Sequence, residues 1–169
     1  YAIPPAVKSS RISWNKRISM MHKYLILNGP NLNLLGTREP VYGTTTLADI
    51  EARLVALANE HGVLVEFFQS NHEGALIDKL QSLRGHVDGV VFNPGAYGHT
   101  SYAIRDAITG CGHRVVEVHI TNIYAREEFR HHSVLSAIVE GQIAGLGAKG
   151  YELALRYLIE SDKERDEEL

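Results

Sequence analysis

The strongest constraint on the fold is a hydrophobic period that changes repeatedly along the chain. Short apolar runs of strand length alternate with stretches whose apolar residues return every three or four positions, and glycines stand at most of the changes. Lys23–Asn28 is the first short run, closed by Gly29-Pro30. From Thr45 onward Leu47, Ile50, Leu54, Leu57 and Ala58 recur at helical spacing, and Gly62 closes that helix. Val63–Phe68 is a second strand, followed by a helix marked by Leu76, Ile77, Leu80 and Leu83 and stopped by Gly85. Gly89–Phe92 is a third strand, broken by Asn93-Pro94-Gly95. Ala103, Ile104, Ala107 and Ile108 mark a third helix ended by Gly110, and Val115–Ile120 is a fourth strand. Ile143–Leu146 is a weak fifth strand, and Tyr151, Ala154, Leu155 and Leu158 lay a last helix on the sheet.

Strands alternating with helices of this length mean βαβ units with right-handed crossovers and a parallel sheet. The fold class expected is α/β, a flavodoxin-like three-layer sandwich with a five-stranded parallel sheet in the order 2-1-3-4-5. The 169 residues suffice for one domain with a real core. Its boundaries are expected at 23–160. Residues 1–22 hold Lys8, Arg11, Lys16 and Arg17, no acidic residue and no apolar periodicity. They read as vector-derived sequence or an organelle leader, without a role in the fold. Residues 161–169 carry five acids and two bases and read as a frayed, solvated tail.

Net charge −3 and a pI near 6.3 give no reason to expect nucleic acid or an anionic membrane as partner. The apolar runs are strand-sized, too short to span a bilayer as a helix. Cys111 is the single cysteine, so neither an intrachain disulfide nor a cysteine-built zinc site is available. A reducing, cytoplasmic location follows as the expectation, with organelle import through residues 1–22 as the alternative.

Ligands of open parallel sheets bind outside the carboxyl ends of the strands, near the switch in strand order. There the first strand ends in Asn28 and runs into Gly29-Pro30-Asn31, the third ends in Asn93, and the fourth delivers Glu117, His119 and Thr121 on one face. A central parallel strand is expected to be apolar on both faces. A buried glutamate there needs a partner. His119, two residues along, is one within a diagonal neighbour's reach or through water. Glu117 would then orient the imidazole and favour its charged form, as suits a general acid; a purely structural pair is the alternative. The long loop 31–45 holds Arg38 and Tyr42 between Gly36 and Gly43 and reads as a lid, with Arg38 favouring a phenolate base. Arg126 and Arg130, four apart, would point the same way from a helical turn toward an anionic ligand, or pair with Glu127 or Glu128 in solvent. His131-His132 lacks the spacing of a metal site. In the body the lysines are Lys23, Lys79 and Lys149, none at a strand's carboxyl end, so Schiff-base chemistry is not expected.

Asn28–Pro40, Gln69–Gly74, Asn93–Tyr97, His99–Ser101, Glu117–His119 and Ala125–Arg130 together resemble type II 3-dehydroquinate dehydratase, over about residues 24–158. The resemblance implies interconversion of 3-dehydroquinate with 3-dehydroshikimate and water through an enolate, without metal or cofactor, in the shikimate or quinate pathway. It implies Tyr42 as the base that removes the C2 proton, with Arg38 and Arg126 keeping it ionised. Asn93 would organise enolate stabilisation through a water, and His119, oriented by Glu117, would protonate the leaving C1 hydroxyl. Ile120 and Thr121 would hold the substrate carboxylate, while Asn31, His99 and Arg130 grip hydroxyls. It also implies a homo-oligomer, a dodecamer built of trimers, in which Asp106 reaches a neighbouring subunit's site. Two positions depart from the family pattern. Only Val41 separates Pro40 from Tyr42 where two residues are usual, and Gly98 stands where threonine is common. A binding module for a small anion and a phosphate-dependent transferase are the rival readings of the same edge. For the transferase the sequence offers no phosphate-binding turn.

Overall fold

A computed structural model of the chain describes residues 21–37 and 43–168. Its five strands are β1 (Lys23–Asn28), β2 (Leu64–Gln69), β3 (Gly89–Asn93), β4 (Val115–His119) and β5 (Gly141–Ala144). They form one parallel sheet in the order β2-β1-β3-β4-β5. The helices are α1 (Leu47–His61), α2 (Glu73–Ser82), α3 (Tyr102–Cys111) and α4 (Lys149–Glu167). The expected architecture and strand order are both present.

Alternation along the strands builds two cores. Tyr24 and Ile26 of β1, Val91 of β3 and Val116 and Val118 of β4 pack with α1 and α4. Leu25, Leu27, Val90, Phe92 and Val115 pack with α2 and α3 on the other face. Each fully buried side chain of this kind is worth about 1.5–3 kcal/mol of transfer free energy, which is why the central strands tolerate few polar residues. Caps fix the helix ends. Thr46 and Asp49 form a reciprocal capping box on α1, and Gly62 ends it in the left-handed region. Ser101 Oγ accepts from the Ile104 N–H to start α3.

Three boundaries differ from the sequence reading. Helix α3 passes through Gly110 to Cys111 and is capped by Gly112, whose φ of 69° supplies the left-handed turn. Strand β5 lies two residues earlier than Ile143–Leu146, because Gly145 and Gly147, both at positive φ, turn the chain away and leave Leu146 exposed. The expected solvated tail is largely helix: α4 runs to Glu167. Asp162 is buried, accepts a hydrogen bond from the Tyr24 hydroxyl at 2.7 Å and is paired with Arg114. A charge-rich composition hid that anchor. No helix among the described residues is long and apolar enough to cross a membrane.

Candidate active site

The ends of β1, β3 and β4 converge beside the switch in strand order. Asn28 and Asn93 are register partners on neighbouring strands, so both carboxamides lie on the α1/α4 face. The loops that follow are pressed together. A Cβ at Gly29 would stand 2.3 Å from the Pro94 carbonyl oxygen, so only glycine lets the β1 loop lie against the β3 loop. The Gly29 N–H donates to the Asn93 carbonyl at 2.8 Å across that contact. Asn31 sits at φ 66°, a region asparagine enters more readily than other side-chain-bearing residues, and its N–H donates to Asn71 Oδ1 at 2.9 Å. Asn93 is tethered at both ends of its amide. The Gly95 N–H donates to Oδ1 at 3.1 Å, and Nδ2 donates to the Tyr151 hydroxyl oxygen at 2.9 Å.

On the opposite face of the sheet, Glu117 and His119 meet directly. His119 Nε2 lies 2.6 Å from Glu117 Oε1, with the carboxylate fully buried and the imidazole 5% exposed. A carboxylate at this site is an acceptor, so Nε2 carries the proton and Nδ1 remains for a ligand. The other support of Glu117 is Ser133, whose hydroxyl lies 2.8 Å and 2.9 Å from the two carboxylate oxygens. His99 stacks against His119, ring centres 5.8 Å apart. Its Nδ1 stands 2.9 Å from the His132 carbonyl, which can only accept, so Nδ1 is the donor and Nε2 the free acceptor. Burial holds His99 below the ordinary imidazole range, and the neighbouring His119 and Arg130 push in the same direction. A neutral imidazole offering a lone pair suits a substrate hydroxyl.

Asn93, His99 and His119 line one cavity with Asn31, Ile120, Thr121, Arg126 and Arg130. Past Ile120, Thr121 and Arg126 it meets a wider cleft of about 530 Å³ bounded by Gly43, Thr45 and Gly147. The arginines come from irregular backbone: 3₁₀ turns span Ile123–Ala125 and Glu128–Arg130, and Arg126 is extended between them. Arg130 Nε donates to Glu127 Oε2 at 2.8 Å, and Arg126 Nε lies 3.4 Å from the same oxygen. Among the described residues no three His, Cys, Asp or Glu side chains are grouped as metal ligands. The assembled chemistry is a cationic pocket with a histidine–glutamate pair on one wall and a fixed amide on another.

The family model for class II dehydroquinase matches residues 22–159. The chain belongs to the class II dehydroquinase family. A 3-dehydroquinate dehydratase from Bacillus pumilus (strain SAFR-032) is 59% identical over 140 residues, 82% of this chain and 95% of that protein. A catabolic 3-dehydroquinase 1 from Aspergillus terreus is 55% identical over 146 residues, 86% of this chain and 96% of that one. The crystal structure of a type II dehydroquinase from Butyrivibrio crossotus DSM 2876 matches with a TM-score of 0.80 at 48% identity, over 82% of this chain and 97% of that one.

In this class II dehydroquinase chain, Asn31, Asn93, His99, His119, Ile120, Thr121, Arg126 and Arg130 share the cavity, with Glu117 directly behind His119. The expected helical turn carrying both arginines is replaced by the two 3₁₀ turns. The two guanidinium groups still come together, both reaching Glu127 Oε2, and the anticipated pairing of Arg126 with Glu127 is present. Asp106 is not in this cavity. It lies exposed on α3, lining a separate groove with Ile77, Gln81 and Arg84. Arg38 and Tyr42, with the shortened segment between Pro40 and Tyr42, lie outside the described residues. At Gly98 an added Cβ would come within 2.7 Å of Pro94 Cγ and 3.2 Å of Glu117 Oε1. A threonine there would require the Pro94 ring to shift. Ser133 and Tyr151 were not singled out for the site from sequence. Ser133 carries no motif, while Tyr151 falls on the core stripe of α4, and the only signal of its polar end is the two buried amides opposite.

Proposed function

We propose that this chain catalyses the reversible dehydration of 3-dehydroquinate to 3-dehydroshikimate, the step shared by the shikimate and quinate pathways. The carrying observation is the buried Glu117–His119 hydrogen bond, backed by Ser133, at the wall of a cavity that also holds Asn93 and two arginines. The relatives named 3-dehydroquinate dehydratase and catabolic 3-dehydroquinase support the same reading.

The reaction separates into two proton movements. The Tyr42 phenolate, kept ionised by Arg38 and Arg126, removes the C2 proton, and the electron pair passes onto the ketone oxygen as an enolate. Asn93 stabilises that oxygen through a water. The enolate then collapses, the C1–O bond breaks, and His119 gives a proton from Nδ1, the nitrogen not held by Glu117, so that the hydroxyl leaves as water. Glu117 holds the imidazole by accepting from Nε2. The substrate carboxylate sits on Ile120 and Thr121, and Asn31, His99 and Arg130 take its hydroxyls. The neutral His99 with Nε2 as acceptor fits that task. The same reading includes a homododecamer of trimers, with Asp106 on the exposed face of α3 reaching a neighbouring subunit's site, and a cytoplasmic location.

The test is ultraviolet absorbance on mixing with 3-dehydroquinate, since the conjugated enone product absorbs where the substrate does not. Growth of the enone band, proportional to enzyme, is the result expected. No change at high enzyme concentration, with binding intact, would leave the anion-binding module as the better reading.

A further inference from the structure

Two buried amides and one phenol form a chain of which the roles above use only Asn93. Asn28 and Asn93 end neighbouring strands in register and face the α1/α4 layer. Tyr151, in the first turn of α4, is fully buried and lies between them. Its oxygen accepts from Asn93 Nδ2 at 2.9 Å, and its hydroxyl donates to Asn28 Oδ1 at 2.6 Å.

The direction of the chain is fixed from one end. The Gly95 N–H donates to Asn93 Oδ1 at 3.1 Å, which turns Nδ2 toward Tyr151. A phenol oxygen that accepts there has one hydrogen left, and Asn28 Oδ1 takes it. Burial pushes the Tyr151 phenol up, so that hydrogen stays in place. The Asn93 amide nitrogen carries two hydrogens. One is held by Tyr151, and with Oδ1 also anchored the amide plane is set, and with it the direction of the second hydrogen. Among the described residues only the Gly95 contact would restrain the terminal torsion without the phenol, and that torsion is intrinsically broad for asparagine. Asn28 Nδ2, meanwhile, is buried with no hydrogen-bond partner among the described residues. A core built for stability alone gains nothing from such a group.

We propose that Tyr151 is a positioning residue of this site: bridged to Asn28, it fixes the Asn93 carboxamide in the orientation that stabilises the developing enolate. The proposal rests on the dehydratase reading given above. Tyr151 touches no reacting atom, and its effect passes through Asn93.

Tyr151→Phe keeps the ring and removes the hydroxyl. Turnover of 3-dehydroquinate should fall about 10- to 100-fold with KM little changed, less than the 10²–10³ that follows loss of a stabilising donor outright. Tyr24→Phe is the control. Tyr24 is equally buried in the same core, but its hydroxyl donates to Asp162 at the far end of β1. That variant should lose thermal stability and keep wild-type turnover. In an Asn93→Ala background, Tyr151→Phe should cost no further turnover, because the two residues act as one unit. Wild-type turnover in Tyr151→Phe, or a loss that adds in full to that of Asn93→Ala, would overturn the proposal. A wild-type chain with no turnover at all is a different failure: it refutes the dehydratase reading and removes the basis of this one.

Discussion

Replacing Ser133 with alanine removes a single oxygen, yet it should be among the more damaging small changes available. Glu117 is fully buried, and among the described residues its carboxylate has two supports, His119 at 2.6 Å and the Ser133 hydroxyl at 2.8 Å and 2.9 Å. A hydrogen bond to a charged group contributes about 1.5–3 kcal/mol net. Ser133 Oγ also accepts from the Leu135 N–H at 3.1 Å, and orphaning that donor costs about 1 kcal/mol more. The sum is about 3 kcal/mol, a substantial part of the 5–15 kcal/mol typical of a whole domain. For a chain of this size that lowers the melting midpoint by about 6–12 °C. Turnover should fall far less than the 10²–10⁴ a general acid is worth, since Glu117 still orients His119. Thermal denaturation followed by circular dichroism, with turnover on the same samples, measures both effects. A midpoint shift under about 2 °C, equivalent to less than 1 kcal/mol, would mean that the hydroxyl does not support a buried charge.

Tyr42→Phe keeps the ring but removes the acceptor, and should abolish most turnover without loss of fold. Arg38→Ala should move the basic limb of the pH–rate profile to higher pH, and near-wild-type turnover in Tyr42→Phe would show the shortened segment has displaced the base. Borohydride with substrate should leave activity intact, because none of Lys23, Lys79 and Lys149 lines the cavity and each is paired with a carboxylate, Glu66 for the first two and Glu152 for the third; a substrate adduct on Lys79 or Lys149 in mass spectrometry would sink the enolate route. Glu140 is held below its ordinary 4.5, chiefly by the hydrogen bond from Arg114, so its contribution is present above that value and lost as pH falls through the depressed folded pKa. Glu140→Gln should therefore be less stable than wild type at neutral pH, with the gap closing in acid; a gap constant with pH in urea titrations would contradict the pairing.

Much of the fold was legible because the chain obeys its local rules. Glycine at the end of α1, and short apolar runs set between stretches of helical period, left one sheet. What escaped notice depends on distant partners. The tail from Ser161 looked solvated by charge alone, and only the approach of Tyr24 and Arg114, more than 45 positions away, makes Asp162 a core residue. Within the site, Glu117 and His119 were visible as polar breaks in a central strand. Their direct contact was not, since diagonal spacing on a strand leaves the side-chain torsions open. Ser133 is one of many serines until the chain folds back over Glu117. Tyr151 reads as a core aromatic, and so it is, but the parity of Asn28 and Asn93 on the facing strands already demanded a polar tip opposite them.

His119→Ala is the most direct measurement of the central claim, with turnover by enone absorbance and substrate binding by calorimetry on the same variant. Turnover should drop by about 10²–10⁴ while 3-dehydroquinate still binds, because the carboxylate and hydroxyl contacts lie on other residues. Unchanged turnover would contradict the account and reduce Glu117 and His119 to a structural pair.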